Sequence, residues 1–104
     1  MTWRDYLHSV DCSHQMTTDP QHIAELCEVA HGQEWRILEL GSHAGISTAA
    51  IAIAAPESIV VSVDLCDTMP EESRVAYWET VGVANIQPVA DAVSYTHLTL
   101  PTKA

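Results

Sequence analysis

The stretch that decides the fold is Ile37-Leu38-Glu39-Leu40-Gly41-Ser42-His43-Ala44-Gly45-Ile46-Ser47-Thr48. An apolar run carrying one acid ends at a glycine, a second glycine follows four positions later, and an alanine-rich apolar run begins. This is the pattern of a strand that breaks into a tight turn and re-enters as a helix. Gly41 lets the backbone turn sharply, and Gly45 removes a side chain where a ligand or the sheet must come close. The first turn of the new helix, near Ile46 and Ser47, leaves backbone N–H groups without intrahelical partners, and such groups point at a ligand.

Working outward, Ile46–Ala55 is predicted helical and is stopped by Pro56, and its many alanines allow close packing on a sheet. Ile59–Leu65 is a β-branched run expected as a buried strand. It carries Asp64 at its end, 23 residues after Gly41. A carboxylate there can accept hydrogen bonds from both hydroxyls of a ribose. Upstream, Trp35–Leu40 forms the first strand. Before it, TTDPQHIAELCEVAHG at 17–32 has a cap at Thr18 or Asp19, Pro20 in the first turn and Gly32 at the end. Ile23, Leu26, Cys27 and Ala30 define its buried stripe. Residues 1–16, with Trp3, Tyr6, Leu7 and Val10, read as a short helix or cover segment.

Downstream, Pro70–Val81 is a third main helix whose Val75, Trp78 and Val81 face the sheet, and Asn85–Val89 is a third strand despite Pro88. Strands alternating with helices predict a parallel sheet with right-handed crossovers, half of a doubly wound fold. The expected organisation is a helical cover over 1–32 and a Rossmann-like unit over 33–92.

Composition narrows the function. The chain has 104 residues, 14 acidic against 4 basic side chains and a net charge of −10, with 47 % hydrophobic residues. Its mean hydropathy is +0.05. That is one small globular domain. Arg4, Arg36, Arg74 and Lys103 are scattered, so neither nucleic acid nor an anionic membrane is an expected partner. The longest apolar stretch, Ile46–Pro56, is far short of the roughly 20 residues of a membrane span. No signal peptide is read at the start. Cys12, Cys27 and Cys66 lack CxxC spacing and read as reduced thiols of a cytoplasmic protein.

Several residues invite other readings. His8, His14, His22 and His31 lie near Asp11 and Cys12, but no pair has tight ligand spacing, so no metal is expected. His22 and His31 fall on nearly opposite faces of one helix. Asp67, Glu71 and Glu72 suit a solvated loop and a helix start. Trp3, Trp35 and Trp78 are expected as packing anchors, and Cys12 as an inert thiol.

ELGSHAGIST followed by VVSVDL resembles motif I and the following acidic motif of the class I S-adenosylmethionine-dependent methyltransferases, over roughly Met16 to Ala92. The branch with E-(I/L)-G-(S/T)-x-x-G-x-S-T, which includes many small-molecule O-methyltransferases, is the most similar. The resemblance implies S-adenosyl-L-methionine as cofactor and a three-layer αβα fold, of which this chain carries the first β-α-β-α-β half. It implies that Glu39, Gly41 and Gly45 line the methionine end of the cofactor, with Ser42, His43 and Ser47 on the same loop. Asp64 with Leu65 would meet the ribose, and Asp91 the adenine amino group. His43 stands where many members have glycine. It is expected as a loop filler, with cofactor contact or a base role as the alternative.

The resemblance places the acceptor-activating groups after the fourth strand, so the catalytic residues and the methyl acceptor are not named by this sequence. Two other classes compete. One is a dinucleotide (NAD)-binding half-domain of an oxidoreductase, against which the second glycine of G-x-G-x-x-G is missing at His43. The other is a non-catalytic interaction module. Glu39 also has a plainer reading, as a strand-end carboxylate satisfied by neighbouring backbone N–H groups.

Val93–Thr102, VSYTHLTLPT, follows no helix period and no strand–helix pattern. It is similar to an in-frame translation of a transposase adapter used in shotgun sequencing libraries. Residues 93–104 are therefore expected to be non-native, with the native frame cut near Asp91 and Ala92 partly encoded by the adapter. In the family's strand order the first strand pairs with the fourth, so here an unpaired apolar edge and poor folding of the isolated chain are expected.

Overall fold

The computed structural model describes residues 1–10, 19–41, 45–63 and 71–89. Seven elements follow one another: α1 (Trp3–Ser9), α2 (Pro20–Ala30), β1 (Arg36–Leu40), α3 (Ile46–Ala54), β2 (Ile59–Val63), α4 (Glu71–Val81) and β3 (Ile86–Val89). The three strands form one parallel sheet in the order β1-β2-β3. The chain is thus a mixed α/β protein with helices between successive parallel strands. Among the described residues no helix is long and apolar enough to cross a membrane.

The helix starts obey local chemistry. The Thr2 hydroxyl accepts from the Asp5 N–H at 3.0 Å and starts α1. The Asp19 carboxylate accepts from the Gln21 N–H at 2.9 Å ahead of Pro20, so the start of α2 follows the pattern read from the sequence. α3 differs, because its cap is Gly45, which has no side chain to bond to the first N–H groups.

α3 is the centre of the core. Seven of its nine residues are buried. It touches α1 and α2 as well as β2 and β3. A helix that is apolar on every side must be covered on every side, and its alanines let the neighbours approach closely. α2 contributes a narrow seam of Ile23, Cys27 and Ala30. Leu26, expected in that stripe, is 40 % exposed. At 100° per residue it lies about 60° from the seam's centre, and α1 and α3 cover only that seam. Trp3 and Tyr6 of α1 and Trp78 of α4 enter the same core. Trp35 does not, and at 46 % exposed it is not the packing anchor expected of it, since it precedes β1 outside the helical cover. Arg4 and Glu28 pair at 3.4 Å with both side chains exposed, which adds little to the hold on α1.

Register fixes the two faces of the sheet. Ile37, Val60 and Ile86 stand side by side, and so do Leu40, Val63 and Val89. Alternation turns the first row toward the helices, where Val60 is in the main core. The second row lies on the opposite face, where Val61, Val63 and Val89 form a separate buried cluster. On that face Leu38 and Leu40 of the edge strand β1 are 42 % and 63 % exposed. Every described helix that enters the main core lies on one face, so two layers of the expected three are described.

The N-terminal end of the sheet is tied by two polar side chains. The Asn85 Nδ2 donates to the carbonyls of Ala52, Ala55 and Ser58 at 3.2, 3.0 and 2.9 Å. It thereby serves the last turn of α3 and the turn into β2. Ser58, fully buried, accepts from the Trp35 N–H at 2.8 Å and donates to the Gln33 carbonyl at 2.7 Å. Asn85→Ala removes the side-chain donor from these three carbonyls, of which Ala55 keeps the Ser58 N–H, and urea unfolding should show a loss of about 1–3 kcal/mol. An unchanged midpoint would mean that water replaces the amide.

Burial pushes the Cys27 thiol up from 9.0 to about 12. The folded chain keeps it neutral where the unfolded chain ionises it. Its contribution to stability is therefore complete below pH 9 and is lost as the pH rises from 9 toward 12. Across that window the unfolding free energy of the wild type should fall more steeply than that of Cys27→Ala, by about 1.4 kcal/mol per pH unit. Parallel curves would show that the thiol ionises alike in both states.

Candidate functional site

The C-terminal ends of the strands, where ligands bind in doubly wound sheets, bring four of the expected residues together. Glu39 lies on the helix-facing side of β1. Its Oε2 accepts from the Ser47 Oγ at 2.6 Å, and its Oε1 accepts from the Thr48 Oγ1. The carboxylate thus clamps the first turn of α3 to the end of β1. A negative charge at a helix N-terminus is also favoured by the helix dipole. The plainer reading of Glu39 expects backbone N–H partners; the described contacts of its carboxylate are instead with the Ser47 and Thr48 hydroxyls.

Gly41 and Gly45 bracket the turn, both left-handed, with φ of 79° and 89°. Their reasons differ. A Cβ on Gly41 would meet nothing within 4 Å, so the requirement there is conformational. Gly41 also donates its N–H to the Val63 carbonyl at 2.7 Å, which ties the turn to β2. A Cβ on Gly45 would lie 2.5 Å from the indole Nε1 of Trp78. The space freed at Gly45 is taken by that indole and not by the sheet.

Trp78 donates its Nε1–H to the Gly45 carbonyl at 2.9 Å, and the Ala49 N–H donates to the same carbonyl at 3.0 Å. Both lone pairs of the cap carbonyl are therefore engaged. The neighbouring Tyr77 reaches the other way, its hydroxyl bonded to that of Tyr6 on α1. Ser62 stands beside Glu39 in register, on the same face, and its buried Oγ has no partner among the described residues. The sequence reading missed Thr48 and Trp78. Thr48 follows Ser47 directly and was legible as a second hydroxyl near the acid. The contact of Trp78 with Gly45 spans 33 residues and has no local signature.

Ser42, His43, Asp64, Leu65 and Asp91, as well as Cys12, His14, Cys66 and the 93–104 tail, lie outside the described residues. Asp64 directly follows Val63 in sequence, and Val63 pairs with Leu40 at the end of β2. No group of three potential metal ligands occurs among the described residues. An open cavity of about 370 Å³, lined by Met1, Ile53, Pro56, Val81 and Asn85 among others, sits at the end of α3 remote from Glu39. Comparison of the chain with protein-family models, with curated proteins and with solved structures returns no match.

Gly45→Ala combines a left-handed backbone with a clash against Trp78, and thermal or urea unfolding should register a loss of about 2–4 kcal/mol. Gly41→Ala meets only the backbone term, about 1–2 kcal/mol. Equal losses at the two positions would contradict the division of roles.

Proposed function

We propose that the chain binds S-adenosyl-L-methionine as the cofactor half of a class I methyltransferase, whose full-length parent methylates a small-molecule acceptor. The observation that carries this reading is the Glu39 clamp. It fixes the start of α3, capped by Gly45, at the C-terminal edge of a parallel sheet, directly after two left-handed glycines. Backbone N–H groups at such a start suit a carboxylate, the group at one end of this cofactor. The ELGSHAG pattern and Asp64 add the family resemblance.

In this reading Gly41, Gly45 and Ser47, with Ser42 and His43 between them, hold the methionine portion. Asp64 with Leu65 accepts the ribose hydroxyls, and Asp91 meets the adenine. When bound, the cofactor supplies an electrophilic methyl group on a sulfonium. The chain's own contribution is to bind and orient it, because positioning is the main work of a protein in such a transfer. Glu39 acts first by holding α3 in place, since two hydroxyls already engage its carboxylate.

Calorimetric titration with S-adenosylhomocysteine, the demethylated product, should give saturable binding, and NAD should give none. The reverse pattern would favour the dinucleotide half-domain, and silence with both would favour the interaction module. Asp64→Ala should weaken binding by about tenfold or more with the fold retained. Glu39→Ala should lower both affinity and stability, the latter by about 2–3 kcal/mol.

A further inference from the structure

We propose that Trp78 is a positioning residue for this site, setting the direction of the α3 N-terminus by its grip on Gly45. The inference rests on the cofactor reading above but draws on different atoms. A carbonyl at a helix start ordinarily accepts one intrahelical bond. That of Gly45 accepts two, from the Ala49 N–H and from the Trp78 indole. The indole also fills the space next to the Gly45 Cα. Together these contacts fix both the tilt of the first peptide plane and its distance from α4.

The grip is made at a cap residue, Gly45, that has no side chain of its own to bond to the N–H groups at the helix start. Glu39 holds the first turn from the sheet side through Ser47 and Thr48, and Trp78 holds the preceding residue from the α4 side. The two grips fall within four residues, at Gly45 and at Ser47 and Thr48, and with both in place the N–H groups of that turn have one direction before any ligand arrives. Preorganisation of this kind lowers the ordering cost of binding.

α4 is itself anchored for the task. Tyr77, adjacent in sequence, bonds to the buried Tyr6 of α1. The N-terminal helix and the glycine turn are thereby joined through two neighbouring residues. Trp78 touches no ligand in this scheme. Its effect on binding passes through Gly45.

The test compares wild type, Trp78→Phe and Trp3→Phe in the full chain. Phenylalanine keeps an aromatic ring in the core and removes the indole N–H. Trp3 is a comparably buried tryptophan on α1 that is not among the donors to the Gly45 carbonyl, so it controls for lost packing. In titrations with S-adenosylhomocysteine, Trp78→Phe should raise the dissociation constant about tenfold, the worth of one well-placed hydrogen bond. Trp3→Phe should leave it within about twofold, a change below 0.5 kcal/mol. Equal affinities for wild type and Trp78→Phe overturn the proposal.

Amide hydrogen exchange provides a readout that needs no ligand. The amides of Ile46 to Ala49 should exchange faster in Trp78→Phe than in Trp3→Phe, and equal rates overturn the positioning role. If the wild type binds no S-adenosylhomocysteine, the cofactor reading falls and this exchange comparison still decides the role of Trp78. If Trp78→Phe does not fold, the wild-type indole N–H signals decide. That of Trp78 should be protected from exchange relative to the exposed Trp35, and equal exchange overturns the grip.

Discussion

A helix buried on every side leaves no room for an unpaired polar group, and α3 is such a helix. Its apolar residues face α1 and α2 outward and the strands inward, so the rest of the chain is arranged to cover it. Thr48 is the polar residue in its buried part. Its hydroxyl needs a partner, and Glu39 at the end of β1 supplies it. The same carboxylate takes the Ser47 hydroxyl. One side chain therefore joins the sheet to the helix start and, in doing so, builds the end of the molecule where a ligand is expected.

The two ends of α3 are treated differently. At its C-terminus, Asn85 bonds to the carbonyls of Ala52 and Ala55, closing that end with side-chain amide hydrogens. At its N-terminus the carbonyl of Gly45 is held by Trp78, while the cap residue, a glycine, offers no side chain to the N–H groups. A structural helix end is ordinarily satisfied internally. An end that is firmly held yet left open is suited to a ligand. The contrast within a single helix separates the supporting end from the candidate site.

The opposite face of the sheet has its own character. Val61, Val63 and Val89 are buried there, whereas Leu38 and Leu40 on β1 are largely exposed. β1 pairs with β2 alone among the described residues. Backbone groups on the other edge of a strand can accept a further partner strand, and the exposed leucines lie on that edge. The acidic surface and the scattered basic residues do not alter this, because the edge strand carries one charge of each sign, at Arg36 and Glu39.

The alternation of elements was legible because it depends on local periodicity. β-branched runs at 59–63, the capped helix after Asp19 and the glycines at 41 and 45 each act over a few residues, and all three strands and the helices between them lie within the segments read for them. The buried stripe of α2 was read too wide at Leu26, and Trp35 was placed inside, because a sequence shows which residues are apolar but not how broad the covering surface is. The Glu39 clamp was half legible, since Ser47 and Thr48 follow the second glycine. What no local pattern contained was Trp78 on Gly45, Tyr77 on Tyr6 and Asn85 on the end of α3. Those contacts join residues about 30 to 71 positions apart. They exist because packing brings α1, Trp78 of α4 and the entry to β3 to the core around one buried helix, and only that packing decides which polar atoms meet.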